Sequence, residues 1–143
     1  MRRLARLLPL LALVAAAGCS EYHYYDISVN FNLTESNGGF SVVGNEVGSL
    51  QVCIMTVSGA DSGSIRMGPF AQGLPVPSNG QFGIVEFSTF ADSGNLVFTM
   101  SCYDDTTTTP DCKTGEGTKT VAASTASTIT DSLTVNKVAA GCQ

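Results

Sequence analysis

Tryptophan is absent from this chain, histidine occurs once, at position 23, and seven Lys and Arg stand against twelve acids. Each shortage narrows the range of functions. Without Trp, the flat platforms that stack on sugars must come from four tyrosines. Three of these, Tyr22, Tyr24 and Tyr25, crowd near the N terminus, which leaves Tyr103 as the distal candidate. A lone histidine near one end gives a Ser-His-Asp enzyme no base within reach of a nucleophile, and no G-x-S-x-G elbow occurs. Thr134-Val135-Asn136-Lys137 matches S/T-x-x-K in spacing alone, because it falls in a strand-like run and that chemistry sits at a helix start. Glu86 lies inside a mixed apolar run, but no second carboxylate can be named as its partner for glycoside hydrolysis. The expectation is a protein that is not an enzyme and carries no cofactor. Long apolar runs are missing as well: residues 7–17, broken by Pro9, are too few to span a bilayer.

What is present begins at the N terminus. Met1-Arg2-Arg3-Leu4-Ala5-Arg6 precedes that apolar run, and Gly18-Cys19 follows it. A basic start, a short apolar segment and a small-residue exit read as a secretory signal. Ala16-Ala17-Gly18-Cys19 resembles the lipobox of bacterial lipoproteins, although Ala16 stands where that family prefers Leu or Val. The resemblance covers the first twenty residues only. It implies that residues 1–18 are removed as a signal helix, that the Cys19 thiol is acylated, and that residues 19–24 form a short lipidated tether. Ser20, where the family often carries Asp for inner-membrane retention, implies export to the outer membrane of a bacterial cell envelope. The competing reading is an ordinary signal cut after Ala17, since Ala15-Ala16-Ala17 also fits an A-x-A site. Cysteine parity favours acylation: the chain holds Cys19, Cys53, Cys102, Cys112 and Cys142, and lipidating the first leaves four to pair.

Without Arg2, Arg3 and Arg6 the remaining 125 residues keep four cations against the same twelve acids, a net charge of −8. Phosphate affinity comes from cationic side chains, so nucleic acid is excluded as a partner. The same charge disfavours docking on anionic lipid through the protein body, so the lipid at Cys19 is the expected membrane contact. Length permits one domain, residues 25–143.

Residues 25–33 alternate Tyr25, Ile27, Val29, Phe31 and Leu33 against Asp26, Ser28, Asn30 and Asn32, which predicts a strand with one buried face. Further strands are expected at 40–43, 49–58, 64–67, 81–90, 95–103, 118–123 and 129–138, separated by Gly, Pro, Asn, Asp and Ser clusters. No helical period follows Ser20. The pattern predicts an all-β domain of seven to eight strands, an antiparallel β-sandwich of immunoglobulin-like or Greek-key type. Ala60-Asp61-Ser62-Gly63 and Ala91-Asp92-Ser93-Gly94 repeat one turn chemistry, expected to end on a left-handed glycine. Residues 69–77, with three prolines, are expected to cross between sheets. Of Tyr22-His23-Tyr24-Tyr25, Tyr25 is expected in the core and the others on the strand-start surface, although amphipathic rings beside a lipid anchor also suit a membrane interface.

Four cysteines allow three connectivities. Cys102–Cys112 with Cys53–Cys142 is the favoured set, because the ends of the 103–111 loop should face each other; Cys53–Cys102, like the immunoglobulin inter-sheet pin, is the alternative. No C-x-x-C pair supports zinc. Asp104, Asp105 and Asp111 are the candidate ligands for a hard cation such as calcium, weighed against a solvated acidic loop, which is the expected reading. The residues therefore point to a membrane-anchored envelope module with a structural or protein-interaction role and an envelope protein as partner. The alternative is a calcium- or glycan-binding domain using the 103–111 loop. An exposed sheet edge is the cheapest interaction surface, and the Ser/Thr-rich segment 118–130 is a candidate for it.

Overall fold

A computed structural model describes residues 21–35, 39–44, 46–104 and 111–139. Among these residues the chain is all-β, with nine strands: β1 His23–Phe31, β2 Glu46–Val47, β3 Val52–Gly59, β4 Gly63–Met67, β5 Leu74–Pro75, β6 Gln81–Thr89, β7 Asn95–Tyr103, β8 Lys113–Ala122 and β9 Thr128–Lys137. Seven of them form one sheet in the order β4-β3-β7-β8-β9-β1-β6, curled on itself as a half-barrel, and β2 and β5 form a separate two-stranded ribbon. Cys19, Cys142 and Asp105 lie outside the described residues.

The alternation in the first strand is structural. Tyr25, Ile27, Val29 and Phe31 are buried, while Asp26, Ser28 and Asn30 between them reach partly into solvent. Strand β7 does the same with Leu96, Phe98, Met100 and Cys102 inside. The two inner faces meet through aromatic rings. Phe98 lies 5.9 Å from Tyr25 on β1 and 5.9 Å from Phe87 on β6, measured between ring centroids. Offset and edge-on pairs at such distances add to the area they bury. The interior of the curl is thus filled by side chains.

The sheet is mixed, which corrects the expectation of a wholly antiparallel one. Strand β1 runs antiparallel to β6 but parallel to β9, in register from Tyr24 opposite Thr128 to Phe31 opposite Val135. Strands β8 and β9 share two pairs only, Gly115 with Lys137 and Glu116 with Asn136, and then diverge. This corner is where the sheet turns over on itself. Gly117 sits at the divergence, where a Cβ would lie 2.3 Å from the Thr134 carbonyl oxygen, so no larger residue fits without moving β9. Beyond the corner, Lys119 Nζ meets Asp131 Oδ1 at 2.8 Å and bridges the gap.

Other boundaries also move. Residues 40–43 are not a strand: Val43 makes an isolated bridge to Glu46, and Phe40, 1% exposed, plugs the end of the core against Phe31. The Phe40 N–H donates to Asn32 O at 2.7 Å and the Gly39 N–H to Thr34 O at 3.0 Å, which folds the chain back over the end of β1. Strand β8 begins five residues before its expected start, at Lys113. Residues 68–80 do not make the crossing between sheets expected of 69–77, but run from β4 at one border of the seven-stranded sheet to β6 at its other border, and pair along the way through β5 with β2. Segment 118–130 supplies no outer border, since β8 and β9 lie inside the strand order; its unpaired backbone faces the gap at the corner.

Candidate functional site

The cysteines resolve one connectivity and overturn the favoured one. Cys53 and Cys102 stand directly opposite each other on antiparallel β3 and β7, Cα atoms 4.1 Å apart, and form a disulfide. The bond is therefore a cross-strand link within one sheet and not an inter-sheet pin. Cys102 is thereby taken, so Cys112, which is also disulfide-bonded, is not joined to it. The ends of the acidic loop do face each other, but through the backbone: the Asp104 N–H donates to Cys112 O at 3.1 Å. Asp104 and Asp111 are exposed, and no group of three His, Cys, Asp or Glu side chains among the described residues is placed to hold a metal ion. Tyr103 is half-buried at the end of β7. Glu86 is exposed on β6, opposite Asp26.

Two surfaces stand out. The first is the outer border formed by β6, nine residues long and hydrogen-bonded on one side to β1. It carries exposed Ile84 (61%) and Glu86, and as an end strand it pairs in the sheet with β1 alone, while its Phe87–Thr89 end packs against Gly63 and Asp61 of the β3–β4 turn. On the opposite rim from the start of β1, an open groove of about 360 Å³ is lined by Glu46, Pro69, Phe70, Gln72, Gly73 and Pro75, with one ionisable group in its wall.

The second surface is the rim where β1 begins. The two Asp-Ser-Gly turns lie side by side there. The Thr89 hydroxyl at the end of β6 donates to Asp61 Oδ2, the Ala91 N–H donates back to the Thr89 oxygen at 3.0 Å, and the Ala60 N–H donates to Asn95 O at 2.8 Å. Only one turn ends on a left-handed glycine, Gly94 (φ 89°); in the other the left-handed residue is Gly59, before the Asp. The β8–β9 turn closes the same rim. The Tyr24 N–H donates to Ser127 O at 3.0 Å, and the Ser124 N–H donates to the buried Tyr25 hydroxyl at 3.2 Å. His23, expected on the strand-start surface, is instead buried, because its side chain shares the inward face with Tyr25 and its Nδ1 lies 3.0 Å from Ala126 O. A carbonyl only accepts, so Nδ1 carries the proton and the ring serves as a tie between strand and turn. Tyr22 and Tyr24 are half exposed, as expected for strand-start residues. The sequence reading missed Phe90: it stacks on Tyr22 with ring centroids 3.9 Å apart. It was hidden because the expected strand 81–90 included it, whereas β6 ends at Thr89.

The Thr89 hydroxyl, and next the Ser62 N–H, hold the Asp61 carboxyl below its usual range. Lys119, and next the Ser132 N–H, do the same for Asp131. A carboxyl whose folded pKa is depressed contributes stability above its unfolded value, near 4, and loses it as pH falls through the folded value. Both groups are solvent-accessible, so the effect is modest. The melting-temperature gap between wild type and Asp61→Asn/Asp131→Asn should be widest near neutral pH and close as pH is lowered through about 4 towards 2. A gap that stays constant would show that neither carboxylate matters as a charge.

Compared with protein-family profiles, curated proteins and solved structures, the chain shows no match.

Proposed function

We propose that this chain is a lipoprotein of the bacterial cell envelope, acylated at Cys19 and held at the outer membrane, whose β domain acts as a structural or protein-interaction module. The observation that carries the address is the state of the cysteines. Cys53, Cys102 and Cys112 are all disulfide-bonded, which fits an oxidising compartment outside the cytosol. With Cys53 and Cys102 joined to each other, Cys112 needs one of the remaining two cysteines, and acylation of Cys19 assigns it Cys142. The interaction role rests on the β6 border, where a partner's strand would add beside Ile84 and Glu86. Crossings from β1 to β3 and from β4 to β6, with hairpins β3–β4 and β7–β8, support a Greek-key, immunoglobulin-like reading of the domain.

The test is the intact mass of membrane-extracted protein, wild type against Cys19→Ala, with free thiols counted after denaturation and disulfides mapped without reduction. Acyl mass on wild type alone, no free thiol and a Cys112–Cys142 peptide are expected. An unacylated chain, or a Cys19–Cys112 peptide, overturns the reading. Calcium that raises the melting temperature would move the assignment to a ligand-binding role for the 103–111 loop.

A further inference from the structure

We propose that the rim bearing Tyr22, Tyr24 and Phe90 docks on the lipid–water interface, so that the half-barrel stands on its membrane with the β2–β5 ribbon and the groove beside it pointing away. The inference rests on acylation of Cys19 and adds an orientation to it.

Three observations carry it. The first is reach. From Cys19 to His23, the first residue of β1, is four residues, at most about 14 Å of extended chain. A nine-residue strand is about 30 Å long. The rim at the start of β1 therefore stays close to the headgroups, whereas the far rim is kept away if the strands stand upright.

The second is the character of that rim. Phe90 is the most exposed of seven phenylalanines, at 49%, in a chain that buries Phe31, Phe40 and Phe98 almost completely. Its ring is stacked on Tyr22, itself 51% exposed, and Tyr24, 49% exposed, lies two residues further along the same face, opposite Ser88. An apolar ring packed on one phenol, with a second phenol on the same strand face, is a group with one face for acyl chains and hydroxyls for headgroups, the pattern that favours interfacial depth. The rim is also well tied, through Thr89 to Asp61 and His23 to Ala126, so the rings are presented by a fixed platform.

The third is charge. The rim residues, 21–24, 60–62, 89–94 and 123–127, include Glu21, Asp61 and Asp92 and no Lys or Arg. Attraction to anionic lipid cannot hold this face down, so the contact must come from the rings and should be insensitive to salt. This separates it from a polybasic docking surface.

The absence of tryptophan makes the test clean, because an introduced indole is the sole such fluorophore. Phe90→Trp and, separately, Ile84→Trp would be made in the full acylated protein, verified by mass, and placed in phosphatidylcholine vesicles with or without bromine-labelled acyl chains. Ile84 is six residues along β6 from Phe90, about 20 Å. Several-fold stronger quenching of the Phe90→Trp indole than of the Ile84→Trp indole is expected, unchanged by added salt. Adding Tyr22→Ser/Tyr24→Ser to Phe90→Trp should weaken that quenching several-fold while the acyl mass persists. Quenching at neither position in an acylated protein overturns the orientation and leaves the anchor standing. Equal quenching at both means the domain lies on its β1–β6 face, which also overturns it. A protein without acyl mass fails at the lipoprotein reading, before orientation is in question.

Discussion

Truncating Phe98 to alanine should lower the unfolding free energy by about 3–5 kcal/mol, the range for removing a buried phenylalanine. Phe98 is fully buried at the middle of β7, and its ring touches the two partners that belong to the other half of the curl, Tyr25 and Phe87. Strands β3 and β8 hydrogen-bond to β7 on both sides, so the backbone around the vacated volume has little room to collapse. The cost should lie towards the upper part of the range for that reason. Urea unfolding would show a lower midpoint with an unchanged slope. A loss below about 1 kcal/mol would mean that the hydrogen-bonded corner at Gly115 and Glu116, and not ring packing, holds the two halves together.

Removing the cross-strand disulfide, with Cys53→Ala/Cys102→Ala, should cost about 4 kcal/mol in the chain-entropy account, for a bridge closing a loop of 49 residues. The native strands need the bond less than the unfolded chain feels it. Strands β3 and β7 pair continuously from Val52 opposite Tyr103 to Gly59 opposite Leu96, and the cysteines are one rung of that ladder. The variant should therefore keep its β-sheet circular dichroism while its urea midpoint falls. A domain of this size is commonly stable by about 5–15 kcal/mol, so the loss is large and folding should still survive it. A drop of under about 1 kcal/mol would show that the unfolded chain already holds these residues together.

Periodicity carries far in this protein. Tyr25 to Phe31 and Leu96 to Cys102 alternate so strictly that the residues alone name their buried faces, and glycine and proline clusters mark where strands end. Short apolar runs are less informative. Residues 40–43 and 49–58 look equally strand-like, yet Phe40 is a plug, because a four-residue run is satisfied as well by a turn that drops one ring into the core. The early start of β8 is hidden for the opposite reason: Lys113-Thr114-Gly115-Glu116-Gly117 lacks strand composition, and its glycines answer to distant neighbours, Gly115 to the Phe40 ring and Cys102, and Gly117 to the β9 backbone at Thr134. Cysteine pairing is open in the sequence for a combinatorial reason, and register settles one bond by placing Cys53 across from Cys102.

Composition and short-range pattern established the local habit of the chain: acidic, free of tryptophan and rich in strands, with core faces written in alternation. These are properties of single residues and near neighbours, which is the range over which pattern acts. Tertiary structure decided which strands meet, that β1 runs beside β9 in parallel, and that Tyr22 and Phe90, 68 positions apart, stack on one rim. Such pairings depend on how the whole sheet curls to bury its aromatic faces, a balance over many distant contacts that no local stretch of sequence contains.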